Sequence, residues 1–235
     1  MIKKLSLLTL TTGCIMLLWG ADFWESKPFT DWDQKEVQTI LTKSPWADKM
    51  SVETGQRGNI ARADDTKGAI QGNLTAPVTL IWRTALPVKQ AIAKASGAAA
   101  SPDAKASFDR VETSYVLQLA GLPGSVRAAI ADKDKMMAET SLKIKGKSDM
   151  KATDFQIAGG APAGGAPGGG PGGGKGGFGG GGGFGGGNFD LLIVFPRTAF
   201  AADDKEFEFV TKMGGMVIRK KFKLKDMEYK GKLEM

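Results

Sequence analysis

The chain has 235 residues, 42% of them hydrophobic, with a formal charge of +7 and no histidine. That length suits one domain with insertions, and the apolar share is enough to build a core. Without histidine, Ser-His-Asp and Cys-His nucleophilic schemes are closed, as are His-ligated zinc, non-haem iron and blue-copper sites.

Lys3 and Lys4, the apolar run from Leu5 to Leu18, and the small residues Gly20 and Ala21 predict a secretory signal segment over residues 1–20. Cys14, the single cysteine, opens a second reading, because Thr12-Gly13-Cys14 is a faint lipobox that would make Cys14 a lipid-bearing first residue. Against it, Thr11 stands where an apolar residue is usual, and Ile15 to Trp19 stays apolar after the cysteine. An uncleaved anchor is the third reading. The chain is expected to be exported, periplasmic or extracellular, or held by a lipid on Cys14. No other segment is apolar for long enough to span a bilayer as a helix. Removing Lys3 and Lys4 leaves 30 basic residues against 25 acidic ones, a mild excess that fits anionic envelope surfaces without demanding them.

The mature chain opens on Phe23, Trp24, Phe29 and Trp32. Asp33 and Glu36 have capping-box spacing, Trp32 and Val37 form a hydrophobic staple, and Val37, Ile40 and Leu41 share a helix face that ends before Pro45. Residues 54–76 are polar and read as a loop. Val78 to Thr84 alternates as a strand, and Pro87 opens a helix carrying Val88, Ala91, Ile92 and Ala95. Residues 97–107 read as another loop. Ser114 to Leu119 is nearly all apolar, as a central strand buried on both faces would be, and Gly121-Leu122-Pro123-Gly124 breaks it. Ser125 is a candidate cap for a helix bearing Val126, Ala129, Ile130, Lys133 and Met137, followed by short strands at Leu142–Ile144 and Thr153–Ile157. This order predicts an α+β fold. Its mixed sheet has a βαβαβ-like first part with parallel neighbours, helices packed on it, and an antiparallel C-terminal hairpin.

From Gly159 to Gly187 there are 20 glycines in 29 residues. Such a segment cannot bury a core, so residues 159–188 are expected to be a disordered insertion. It would divide one domain into a first part, 22–158, and C-terminal strands, 189–235. Phe178 and Phe184 offer the alternative of adhesive points on a tether.

Several islands carry a resemblance. They are Trp32, Lys35-Glu36-Val37, Leu41-Thr42-Lys43-Ser44-Pro45-Trp46-Ala47, Trp82-Arg83-Thr84-Ala85-Leu86-Pro87-Val88, Gly121-Leu122-Pro123, Phe195-Pro196-Arg197 and Phe222-Lys223-Leu224-Lys225-Asp226-Met227. Together they resemble uncharacterised exported proteins common in Acidobacteria, some of them labelled GWxTD-domain proteins. The GWxTD signature itself is absent from this chain. The resemblance implies export and a shared fold, and brings no activity with it.

Sequence singles out no catalytic, cofactor-binding or metal-ligating residue. Gly169 to Gly176 imitates a phosphate loop ending in Lys175, but Gly176 replaces the hydroxyl that would hold magnesium, and no helix follows. Gly121 to Ser125 could present backbone amides to an anion, though a turn with a cap explains it as well. Asp64-Asp65 and Asp132-Lys133-Asp134 lack calcium-loop spacing. A carboxylate-only glycan hydrolase stays open as an alternative, with the tryptophans as sugar platforms. The leading expectation is a non-catalytic interaction or structural module of the cell envelope. Its partner would be an unknown envelope component, with no specific nucleic acid, and it would meet the membrane only through the leader or a lipid on Cys14.

Arg219-Lys220-Lys221-Phe222-Lys223-Leu224-Lys225 is the densest basic run. A two-residue turn at Gly214-Gly215 sets its register. Asp204 is then expected to face Lys225, Glu206 Lys223, Glu208 Lys221, Phe207 Phe222 and Thr211 Ile218, leaving Arg219 opposite Val210 as the unpaired cation.

Overall fold

A computed structural model describes residues 22–60, 70–158, 187–198, 200 and 204–235. The leader with Cys14, the Asp64-Asp65 pair, Lys175 and the glycine-rich segment with Phe178 and Phe184 lie outside the described residues.

In chain order the elements are α1 (Phe23–Ser26), α2 (Gln34–Thr42), β1 (Lys43–Ser44), β2 (Ala47–Ile60), β3 (Ile70–Trp82), α3 (Leu86–Ala95), α4 (Pro102–Asp109), β4 (Ser114–Leu122), α5 (Lys133–Ala138), β5 (Ser141–Ile144) and β6 (Met150–Lys151). There follow β7 (Asp154–Ala158), β8 (Phe189–Pro196), β9 (Glu206–Met213), β10 (Met216–Lys223), β11 (Glu228–Tyr229) and β12 (Lys232–Leu233), with 3-10 turns at Phe29–Asp31, Gly124–Ile130 and Leu224–Met227. The class is α+β, with helices against the sheets and an antiparallel C-terminal hairpin. A six-stranded sheet has the order β1-β2-β3-β4-β8-β7, and a four-stranded sheet the order β10-β9-β5-β6.

The two sheets pack face to face, and aromatic side chains fill the space between them. Trp82 of β3 lies 5.5 Å from Phe207 of β9 and 5.7 Å from Phe222 of β10, ring centre to ring centre. Phe195 of β8 meets Phe209 of β9 edge-on at 6.4 Å. Alternation in sequence produces this layer: Val78, Leu80 and Trp82, then Tyr115, Leu117 and Leu119, then Phe189, Leu191, Ile193 and Phe195 all turn inward and are buried.

Every described ladder in both sheets is antiparallel, so the expected parallel neighbours are not there. The reason lies in the helices. α3 and α4 pack on each other as an out-and-back pair and return the chain to the end of the sheet that β3 left, so β4 runs antiparallel beside β3. They act as corners, whereas a parallel pair requires a crossover.

Four other expectations change. The polar stretch 54–76 belongs to the long β2–β3 hairpin, in register from Ala47↔Ile81 to Ile60↔Ile70, and only its tip lies outside the described residues. Its polarity reflects a solvated ribbon, with Glu53, Gln56 and Arg57 exposed and Val52 buried. Residues 97–107 include α4, where the Ser101 hydroxyl accepts from the Ala104 amide at 3.1 Å and Pro102 takes the first helical position. Ser125 caps nothing: residues 124–130 form a 3-10 turn, and Asp132 caps the separate helix α5, which buries Met136 rather than Met137. β4 is central, but its two faces are not equally covered: Tyr115, Leu117 and Leu119 are buried, whereas Val116 and Ala120 on the other face are half-buried.

The N-terminal capping box is present, with Asp33 accepting from the Glu36 amide at 2.8 Å and Glu36 accepting from the Asp33 amide at 2.7 Å. Trp46 goes further than packing back on α2. Its indole N–H donates to the Glu234 carbonyl at 2.8 Å, and its ring meets Trp24 and Tyr229 edge-on. Both tyrosines are buried. The Tyr115 hydroxyl donates to the Thr198 carbonyl and the Tyr229 hydroxyl to Gln90, each at 3.1 Å. Burial raises the pKa of both phenols above the ordinary 10.0; Arg197 partly offsets this for Tyr115, whereas Glu25 and Glu234 add to it for Tyr229. A raised acid favours the protonated folded form. The stabilisation is therefore complete below about pH 10 and is lost as pH rises through the folded values. Chemical denaturation followed from pH 8 upward should show a constant midpoint to about pH 10 and then a decline. Tyr115→Phe with Tyr229→Phe should flatten that decline.

Candidate functional site

Three surfaces gather polar chemistry. The first is the outer face of the larger sheet. Arg83, just after β3, donates to the Gln118 side-chain carbonyl at 3.1 Å, and the Gln118 amide donates to Asp190 Oδ2 at 2.8 Å. Asp190 Oδ1 accepts from the Gly121 amide at 3.0 Å. Partial burial lowers the Arg83 pKa, and the Asp190 charge opposes that shift. This relay has a structural task. Gly121 sits at φ +82° where pairing between β4 and β8 slips, and the Asp190 carboxylate accepts from its amide there. The amide that an anion could have used at the Gly121–Ser125 turn is thus already satisfied by a carboxylate. Sequence left a signal here that the reading did not use: Gln118 and Asp190 each interrupt an apolar strand. Asp190→Ala should cost about 1–3 kcal/mol, since it leaves a backbone amide and the Gln118 side chain without their partner. The check is a lowered urea midpoint with an unchanged m value.

The second surface is a groove of about 560 Å³ at one end of the sandwich, lined by Trp24, Asp22, Glu25, Lys43, Asp48, Lys225, Asp226 and Glu228, among others. Two of its five carboxylates are in use. Both Glu25 oxygens accept from the Lys230 amide, at 3.0 and 3.1 Å, and Asp48 is paired with Lys220 at 2.5 Å. Trp24, Trp32, Trp46 and Trp82 are all buried, so their rings are packed against protein rather than offered as sugar platforms. Asp132, from the sequence-level pair with Asp134, spends its carboxylate on the Lys135 amide at 3.0 Å. Among the described residues, no group of three or more acidic or cysteine side chains is placed to hold a metal ion.

The third surface is the outer face of the smaller sheet. The β9–β10 register is the expected one: Met213↔Met216, Thr211↔Ile218, Glu208↔Lys221, Phe207↔Phe222 and Glu206↔Lys223. Phe207 and Phe222 stack 5.0 Å apart on the inner side. Two details differ. Pairing ends at Lys223, where Leu224–Met227 turns into a 3-10 turn, so Asp204 pairs with Lys147 at 2.6 Å and not with Lys225. In addition, Glu206 reaches diagonally to Lys221, at 3.9 Å, rather than straight across to Lys223. Lys143 of β5 lies opposite Glu208, and Lys151 of β6 lies opposite Ser141. The face therefore carries exposed Lys143, Lys151, Lys212, Arg219, Lys221 and Lys223, with Glu206 and Glu208 as the carboxylates on its strands. Among the described residues, Lys212 and Lys223 as well as Arg219 make no ion pair, so the face is less neutralised than the register alone implies.

A scan against protein-family models finds no match, and searches of curated proteins and of solved structures find none either.

Proposed function

We propose that this chain is a non-catalytic, exported protein of the cell envelope that works as an interaction or structural module. The observation that carries this reading is the exposed basic face of the smaller sheet, where, among the described residues, Lys212, Arg219 and Lys223 make no ion pair. In the end groove Glu25 is held by a backbone amide and Asp48 by Lys220, which leaves Asp22, Asp226 and Glu228 as its unengaged carboxylates among the described residues. Export rests on the charged and then apolar start of the chain and on the resemblance to exported proteins.

A carboxylate-dependent glycan hydrolase is the second reading. It is favoured by the meeting of Asp22, Glu25, Asp48, Asp226 and Glu228 beside Trp24 in one groove. One experiment separates the two. The mature protein is incubated with isolated envelopes, sedimented, and the supernatant assayed for new reducing ends. Sedimentation without sugar release supports the module. Sugar release that disappears in Asp226→Asn or Glu228→Gln replaces it with the hydrolase.

A further inference from the structure

We infer that the outer face of the β10-β9-β5-β6 sheet docks on an anionic lipid surface, an inference that rests on the envelope-module reading and gives it a partner. The face is a two-dimensional array rather than a row. Arg219, Lys221 and Lys223 lie along β10, Lys212 on β9, Lys143 on β5 and Lys151 on β6. Cations two residues apart along a strand are spaced by about 6.8 Å, and strands by about 4.8 Å. Six cations face Glu206, Glu208 and Asp149, the last paired with Lys143 at 3.8 Å, leaving an excess of three positive charges on one side of one sheet.

The geometry selects among anionic partners. A single-stranded nucleic acid would need aromatic platforms for its bases. The side chains on this face, Val217, Arg219, Lys221, Lys223, Lys212, Val210, Glu208, Glu206, Ser141, Lys143 and Lys151, include none. A linear polymer engages one row of charge at a time, and the β10 row is the one interleaved with Glu206 and Glu208. A plane of phosphates engages all four strands together, including Lys212 and Lys151, which have no strand carboxylate directly opposite. Val217, 43% exposed beside Lys212, adds an apolar contact that a headgroup region accommodates.

The test is co-sedimentation of the mature protein with vesicles of phosphatidylglycerol and phosphatidylcholine, and with phosphatidylcholine alone. Binding is expected only with the anionic lipid, and should fall steeply between about 0.1 M and about 1 M salt as the Debye length shrinks from about 10 to about 3 Å. The variant Lys212→Gln, Arg219→Gln, Lys223→Gln removes three cations that hold no ion pair, and should weaken partitioning about tenfold or more. Its matched control, Lys35→Gln, Lys105→Gln, Arg110→Gln, loses the same charge from exposed positions elsewhere and should bind as the parent does. If the triple variant unfolds, as judged by its melting curve, Arg219→Gln alone serves, with a smaller expected loss. Equal binding to phosphatidylcholine, equal losses in both triple variants, or displacement from vesicles by soluble polyphosphate at matched phosphate concentration overturns the proposal. Sedimentation with whole envelopes that persists while vesicle binding is absent overturns the lipid partner and leaves the envelope module standing; loss of both removes the two together.

Discussion

Trp82→Ala is expected to cost about 4 kcal/mol, near the upper range for deleting a buried aromatic. Trp82 is fully buried and joins the two sheets: it meets Tyr115 of the neighbouring strand at 5.8 Å, and Phe207 and Phe222 of the opposite sheet. Truncation leaves a cavity where the two sheets meet, and the stacked Phe207–Phe222 pair loses the ring it packs on. The informative companion is Trp82→Phe. Among the described residues, the Trp82 indole N–H is the one buried side-chain polar atom without a hydrogen-bond partner. Leaving such a donor unsatisfied costs about 1–3 kcal/mol, and phenylalanine removes it along with some volume. The two effects oppose each other, so Trp82→Phe should cost less than about 1.5 kcal/mol, the range of well-tolerated core swaps. Urea unfolding of the two variants side by side decides the matter. A Trp82→Phe loss well above about 1.5 kcal/mol would mean that removing the N–H brings no relief and that lost packing alone sets the cost.

What could be read from sequence divides along physical lines. The register of the C-terminal hairpin was legible from the turn out to Glu206 and Lys223, because a Gly-Gly turn and an alternating pattern of Phe207, Phe209, Ile218 and Phe222 leave a single register that buries all four; the end of the pairing, before Asp204 and Lys225, was not. The capping box was legible for the same reason: its information is local. The direction of the strands was not. A strand-helix-strand order is the same text whether the helix crosses over the sheet or turns a corner, and α3 and α4 turn a corner because they pair with each other. The 54–76 stretch was misread since a solvated ribbon and a loop share composition. The basic row was found, but its neutralisation was overestimated. Register fixes which Cα atoms are opposite, whereas long side chains choose diagonals, as Glu206 does with Lys221. The cations of β5 and β6 joined that face only through tertiary pairing, which no local pattern announces. The second role of Gly215 was hidden in the same way. The turn needs a positive φ only at Gly214, +62°, as in a type II′ hairpin, and Gly215 is small for a different neighbour.

That neighbour sets the other large effect: Gly55→Ala should destabilise the protein by about 3 kcal/mol. Gly55 lies on β2 where pairing with β3 slips between Glu53 and Arg57, and its φ is +73°. A side chain in that conformation costs roughly 1–2 kcal/mol by itself. It would also have nowhere to go, because a Cβ on Gly55 would stand 2.5 Å from the Gly215 Cα and 2.8 Å from its carbonyl oxygen. Both obstacles are backbone, so relief requires β2 and β10 to separate, and overpacking of that kind adds about 1–3 kcal/mol. The two strands belong to different sheets and are drawn together at this glycine contact and again at the Asp48–Lys220 ion pair. Gly97→Ala isolates the conformational part, since Gly97 has the same φ of +73° with nothing within 4 Å of the added carbon. Gly215→Ala isolates the steric part, since its Cβ would lie 2.9 Å from the Gly55 Cα and its φ is not among the positive ones. For a domain of this size each kcal/mol moves the thermal midpoint by about 2–4 °C, so Gly55→Ala should lower it by about 6–12 °C and Gly97→Ala by no more than about half of that. The double variant Gly55→Ala, Gly215→Ala should lose less than the two single losses combined, because the first separation of the strands already makes room for the second methyl. Equal midpoints for Gly55→Ala and Gly97→Ala would show that β2 and β10 part freely, and that the sandwich is not closed at this edge.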